Sequence, residues 1–267
     1  MKTTQKGTVR NEFLYRTPRC WFGTHGILTA CGGGGSSDAG TTPATASSLA
    51  GGWEGTSSSG DGIQAMILED GRFWAVGGTQ ASGVLFVNAL GRATLTTSGT
   101  AVSAGDLRAH GLATGAVVTG TLTGTFTAGT SITATVTAGG VSATMRLAPA
   151  AAATYHYDTA ATLTAVAGSW PGFFSNDTGT VVVSASGSFT TTTASGCTVS
   201  GAITPRASGK NVYDVTVRFG TAACGVPVGT TGAGNAIITN LTGGTRQLAV
   251  AVATSDGVNA GVFFGQR

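Results

Sequence analysis

The sequence predicts an all-β protein built from two tandem small antiparallel β-barrel or β-sandwich domains, and three observations carry that expectation. Hydrophobic residues make up 41% of the 267 positions and charged ones only 9%, which is enough apolar surface to close a core and too little charge for a self-repelling disordered chain. Threonine, valine and 44 glycines dominate while Glu, Lys, Gln and Met are scarce, which favours strands over helices. The chain also repeats itself. Leu49-Ala50-Gly51-Gly52-Trp53-Glu54-Gly55 is answered by Val166-Ala167-Gly168-Ser169-Trp170-Pro171-Gly172 at an offset of 117, and Asp70-Gly71-Arg72-Phe73 by Ser186-Gly187-Ser188-Phe189 at an offset of 116. A period of that length suits one small domain per unit rather than the turn of a solenoid. The Thr-Gly run Thr119–Thr127 suggests a fibrous β-solenoid as an alternative, against which the long period weighs.

The formal charge of +3 is unevenly placed. Lys2, Lys6, Arg10, Arg16 and Arg19 precede residue 31 against one acid, Glu12, so from residue 32 onward nine cations face ten acids and the balance is 9 − 10 = −1. No Lys/Arg cluster is left to track a phosphate backbone, which argues against nucleic-acid binding. A basic start, a short and interrupted apolar stretch over Trp21–Leu28 and a small-residue processing site are the parts of an export signal covering residues 1–30.

The end of that signal, Leu28-Thr29-Ala30-Cys31, resembles the lipobox of bacterial lipoproteins. The resemblance implies cleavage before Cys31, a diacylglycerol on its sulfur, an acylated new amino terminus and attachment to the membrane through lipid. Gly32 after the cysteine implies, by the sorting rule of this class, the outer membrane of the cell envelope. Residues 31–48 form a Gly/Ser-rich tether without a large apolar side chain, spanning about 20–25 Å root-mean-square. On this reading Cys20 leaves with the leader and Cys31 carries lipid, so Cys197 and Cys224 remain for a disulfide in an oxidising compartment. No run of 18 apolar residues is present to span a bilayer as a helix.

Two β domains follow, at 49–157 and 163–267, separated in the region 148–165. In the first, alternation and Gly-containing turns predict strands near 53–57, 63–69, 72–77, 83–88, 93–97, 116–126, 131–138 and 141–147. In the second they fall near 169–174, 179–185, 188–193, 197–203, 211–219, 234–239, 246–253 and 259–264. Asn211–Phe219 alternates cleanly, with Tyr213, Val215, Val217 and Phe219 on the core face. The Gly-x-Trp near the first strand of each unit resembles the opening of lipocalin-like barrels. A lipidated cysteine, a Gly-rich tether and two β domains are together similar to bacterial surface lipoproteins such as factor H binding protein and transferrin-binding protein B, a likeness of architecture that implies no ligand.

The residues that usually carry chemistry are sparse. His110 and His156 are the only histidines beyond the leader, and there is no His-Glu-x-x-His, Gly-x-Ser-x-Gly, P-loop or Cys-x-x-Cys pattern. Glu69 and Asp70 precede a glycine and shape a turn rather than serve as an acid/base pair. Trp53 and Trp170 read as core plugs. The expectation is therefore a non-enzymatic lipoprotein, a binding or structural module with no catalytic residues, metal or cofactor and with a protein or small-molecule partner. The alternative is an inhibitor of a periplasmic or host hydrolase.

Overall fold

The computed structural model describes residues 49–81 and 84–267. The leader, Cys31 and the tether lie outside the described residues.

The first half is a meander of β1 (Gly51–Ser57), β2 (Gly62–Ile67), β3 (Arg72–Ala81), β4 (Val84–Thr94), β5 (Thr96–Ser98), β6 (Ala101–Gly111), β7 (Val117–Thr127), β8 (Ser131–Ala138) and β9 (Val141–Pro149). Every pairing is antiparallel. β5 continues β4 along β6, β4 also pairs with β6, and β9 returns to β1, so the sheet closes into an eight-stranded barrel. The second half runs through β10 (Gly168–Phe174), β11 (Asp177–Val183), β12 (Ser188–Thr192), β13 (Thr198–Pro205), β14 (Tyr213–Phe219), β15 (Thr231–Asn240), β16 (Arg246–Thr254) and β17 (Ala260–Gln266) and closes from β17 to β10. Closure removes the unpaired edges that an open sheet of this composition would expose.

In the second barrel each expected strand is matched by an observed one. The first differs in two places. Residues 83–88 and 93–97 lie on one strand and its short continuation, and β6 falls where no strand was expected. The reason is local: Gly105-Asp106 form an irregularity between Ala104 and Leu107 that shifts the register, so Val102 and Ala104 share the core with Leu107 out of period-two phase. The Thr-Gly run is β7, with Leu122 and Phe126 in the core.

The repeat is built in three dimensions from the same contacts. Trp53 donates its indole N–H to Leu49 O at 2.9 Å and Trp170 donates its own to Val166 O at 2.7 Å, each four residues back. Both rings are buried in their own barrels. Gly55 and Gly172, two residues beyond each Trp, sit so tightly against the last strand that a Cβ would strike the carbonyls of Arg146 and Phe264. At the second hairpin of each barrel, Gly71 (φ 85°) and Gly187 (φ 86°) occupy the left-handed region that glycine adopts without strain. Their carbonyls accept from Leu95 N and Ile203 N, both at 2.8 Å.

The two barrels do not stand apart. Outer faces of β3, β4, β16 and β17 meet through Leu85, Leu90, Leu112, Val262 and Phe264, and a second patch joins Met66, Leu68, Tyr155 and Val212. Val212, which alternation puts on the outer face of its strand, is fully buried there. At one end of this seam Arg206 binds Glu69 (2.6 Å), Asp70 (2.7 Å) and Asp214 (2.9 Å), and Tyr157 donates to Glu69 at 2.7 Å. At the other end Asn176 donates to Leu112 O at 2.8 Å.

Candidate functional site

The interior of the second barrel holds a cavity of about 480 Å³, within the range of small-molecule sites. Alternation along β11, β13, β14 and β16 points Val181, Val199, Val215, Val217, Val250 and Val252 into it. Valine is short and stiff, so it covers the strand without reaching the barrel axis.

One end of the cup is sealed. A single helical turn, α1 (Leu163–Val166), starts on Thr162, whose hydroxyl accepts from Ala165 N at 3.2 Å. Tyr213 donates to Thr162 O at 2.9 Å. The C-terminal Arg267 lies 4.0 Å over the Trp170 ring and donates to Ala165 O (2.9 Å) and Ala167 O (2.6 Å), tying the last residue to the first turn of the domain. No periodicity announces the role of Arg267; a cation just past the last strand, paired with a Trp in the first, was the only available signal.

The opposite end is open and is rimmed by four connections: Ser175–Asn176, Thr193–Gly196, Gly220–Thr230 and Ser255–Asn259. Cys197 and Cys224 form a disulfide across 27 residues that pins the long Gly220–Thr230 connection against the start of β13. Ala223, Cys224, Gly225 and Val226 of that connection line the mouth. Beside it the wall is loosened. β11 and β12 share only two paired positions, Val182 with Thr190 and Val183 with Phe189. Above them the Thr191 hydroxyl donates to Thr180 O (2.7 Å) in place of a ladder bond.

Among the described residues lining the cavity, Asp177 is the one that carries charge. Hydrogen bonds from Ser195 and Thr193 hold its carboxyl down at about 2, so it is ionised at any physiological pH. The walls are apolar, and the rim has hydroxyls and one fixed negative charge, Asp177, which accepts from the Ser195 hydroxyl. Chemically the arrangement can enclose an apolar body.

Of the polar residues weighed in the sequence, His156, Glu69 and Asp70, none reaches this cavity. His156 is exposed in the connection between the barrels. Glu69 and Asp70 form the turn before β3 and hold Arg206. Burial opposes ionisation of Glu69, but the bonds from Tyr157 and Arg206 win and keep it below the ordinary carboxylate range. His110 is buried at the seam, and burial together with Arg92 and Arg108 lowers its pKa.

No protein-family model matches the chain, and no curated protein matches it. Among solved structures it is similar to a candidate outer membrane protein of Bacteroides fragilis, at 12% identity over 84% of this chain and 99% of the other, with a TM-score of 0.28. No residue or role is carried over from that likeness.

Proposed function

We propose that this chain is a non-enzymatic lipoprotein of the cell envelope, anchored in the outer membrane through Cys31, and that its second barrel binds a small apolar ligand. The observation that carries the binding role is the valine-lined cavity, closed at the Trp170–Arg267 end and open at the disulfide-braced end. The ionised Asp177 at the rim disfavours a free fatty acid, whose carboxylate would meet a like charge, and favours an uncharged or cationic head group on an apolar body. The anchor rests on Leu28-Thr29-Ala30-Cys31 and the tether that follows.

Binding is tested with the uncharged reporter N-phenyl-1-naphthylamine. The purified protein should enhance its fluorescence at 1:1 stoichiometry, and Val252→Phe, which fills the cup near its mouth, should weaken binding at least tenfold. Absence of binding by the parent protein, or equal binding by the variant, refutes the role. The anchor is tested by mass spectrometry of the amino-terminal peptide from membranes, which should begin at an acylated Cys31. Cys31→Ala should release the chain.

A further inference from the structure

A second cleft, of about 630 Å³, lies outside the cup, between the barrels. Its floor is the outer face of β13–β16, where Ser200 and Thr216 alternate with the inward-pointing Val199, Val215 and Val217, and Thr231 and, just past β16, Ser255 add two more hydroxyls. Trp74 and Arg92 of the first barrel wall one side, and Arg218 rises from the floor opposite Ser200. Trp74 is held in place because its indole N–H donates to Asn235 Oδ1 at 3.1 Å, and Asn235 is itself fixed by Asp214 (2.9 Å).

The cations here are arranged in a way that costs stability. Arg92 and Arg108 are direct cross-strand partners on β4 and β6, where like charges repel. Both guanidinium groups crowd Gly257 of the second barrel. A methyl there would collide with Arg92 and come within 3.0 Å of Arg108 Nη1. Arg108 finds the Gly257 carbonyl at 3.1 Å, but the Arg92 Nε is buried with no hydrogen-bond partner. Among the described residues none of Arg92, Arg108 and Arg218 has a carboxylate within ion-pair distance. Asp106 faces Arg92 and Asp256 faces Arg108 at longer range, and each also accepts hydrogen bonds from the backbone or side chains beside it. Asp106 accepts from Thr94 N (2.9 Å), and Asp256 accepts from Val258 N (2.9 Å) and the Thr254 hydroxyl. A like-charge pair with Arg92 on the cleft wall beside Arg218, neither of them in an ion pair, is an arrangement that a bound anion would relieve.

We propose that this cleft binds an acidic saccharide, with the carboxylate received by Arg92 and Arg218, the hydroxyls of the sugar by the Ser/Thr floor, and a ring face by Trp74. Guanidinium forks suit a planar carboxylate, and an indole presents an apolar face to the C–H side of a pyranose. The site is separate from the apolar cup, so either can fail without the other.

The test uses the full chain and glucuronic acid, with glucose and inorganic sulfate as comparisons, followed through the indole N–H resonance of Trp74. Glucuronic acid should shift that resonance saturably, glucose should not, and Arg218→Ala should weaken the response at least tenfold while reporter binding in the cup is unchanged. Arg92→Leu should also abolish the response, and because it removes the repulsion and the orphaned donor it should keep or raise the Tm. Sulfate binding as tightly as glucuronic acid overturns the saccharide assignment. No shift with glucuronic acid, an equal shift with glucose, or an Arg92→Leu variant that binds normally and melts lower overturns the site.

Discussion

The two barrels share a plan and differ in filling. The buried core of the first contains five leucines (49, 95, 107, 122, 147) and a single valine, Val102, together with Ile67, Ile132 and Met145. That of the second contains six valines (166, 181, 183, 199, 215, 217) and a single leucine, Leu248. Leucine carries one more methylene past the β carbon and reaches the barrel axis, whereas valine stops at the wall. The same closed meander, opened by the same Trp and the same tight hairpin, thus encloses a leucine-rich core in one copy and a valine-walled cavity in the other. The difference lies in the aliphatic filling, since both cores also hold aromatic side chains (Trp53, Phe73 and Phe126 in the first; Trp170, Phe189, Tyr213 and Phe263 in the second), and it teaches that a duplicated fold can vary its interior while the backbone plan stays intact.

The comparison is broken or sharpened most strongly at the paired tryptophans. If the two anchors are equivalent, Trp53→Ala and Trp170→Ala should each cost about 3–5 kcal/mol in chemical denaturation. A large cost at one and a negligible cost at the other would end the equivalence. The disulfide has no counterpart in the first barrel among the described residues. Reducing it should remove about 3–4 kcal/mol by the loop-entropy relation for a 27-residue separation, and calorimetry should place that loss in the second barrel.

Exchanging the filling residues is a subtler probe. Leu122→Val should cost about 1 kcal/mol, because the packed core loses a methylene and gains a void. Val199→Leu should change stability by less, because the added methylene enters open space, yet should weaken reporter binding. Equal penalties would mean the cup is as tightly packed as the scaffold.

At pH 7 the smallest expected effect is at the seam, where it grows only as the pH falls. His110 has its pKa lowered by burial and by Arg92 and Arg108, so the unfolded chain takes up a proton near the ordinary value of 6.5 that the folded chain refuses. Stability is then unaffected by this residue well above pH 6.5 and falls as pH drops through it, by at most about 1.4 kcal/mol per pH unit. His110→Leu should flatten that slope, read from urea midpoints between pH 5 and 7.

Much of this architecture was legible in the sequence because its signals are local. The Ala-Gly-x-Trp-x-Gly pair fixes where each unit begins, and Gly71 and Gly187 mark hairpins by conformational need. The clean alternation of Asn211–Phe219 assigns Tyr213, Val215 and Val217 to the interior. β6 was hidden because Gly105-Asp106 breaks the alternation that reveals a strand. The seam was hidden for another reason: Val212 and Leu90 lie on the outer face of their strands, and nothing along the chain says whether an outer face meets water or another barrel. The cup escaped notice because valines inside a strand look the same whether or not the space they face is filled.

Strand direction sets where the cup can work. Each barrel begins at the end occupied by its Trp and its indole-bonded carbonyl, and the contacts Arg206–Glu69 at one end and Asn176–Leu112 at the other align the two barrels side by side. The chain therefore leaves its amino-terminal side at Leu49 on the sealed floor, while the rim of the cup faces the other way. Strands of seven residues are about 23 Å long and, tilted by about 35–45° as in closed barrels, put about 16–19 Å between floor and rim. For a chain tethered through its amino terminus as proposed, the tether would join the molecule on the side of the sealed floor, and the mouth would stay clear of the point of attachment.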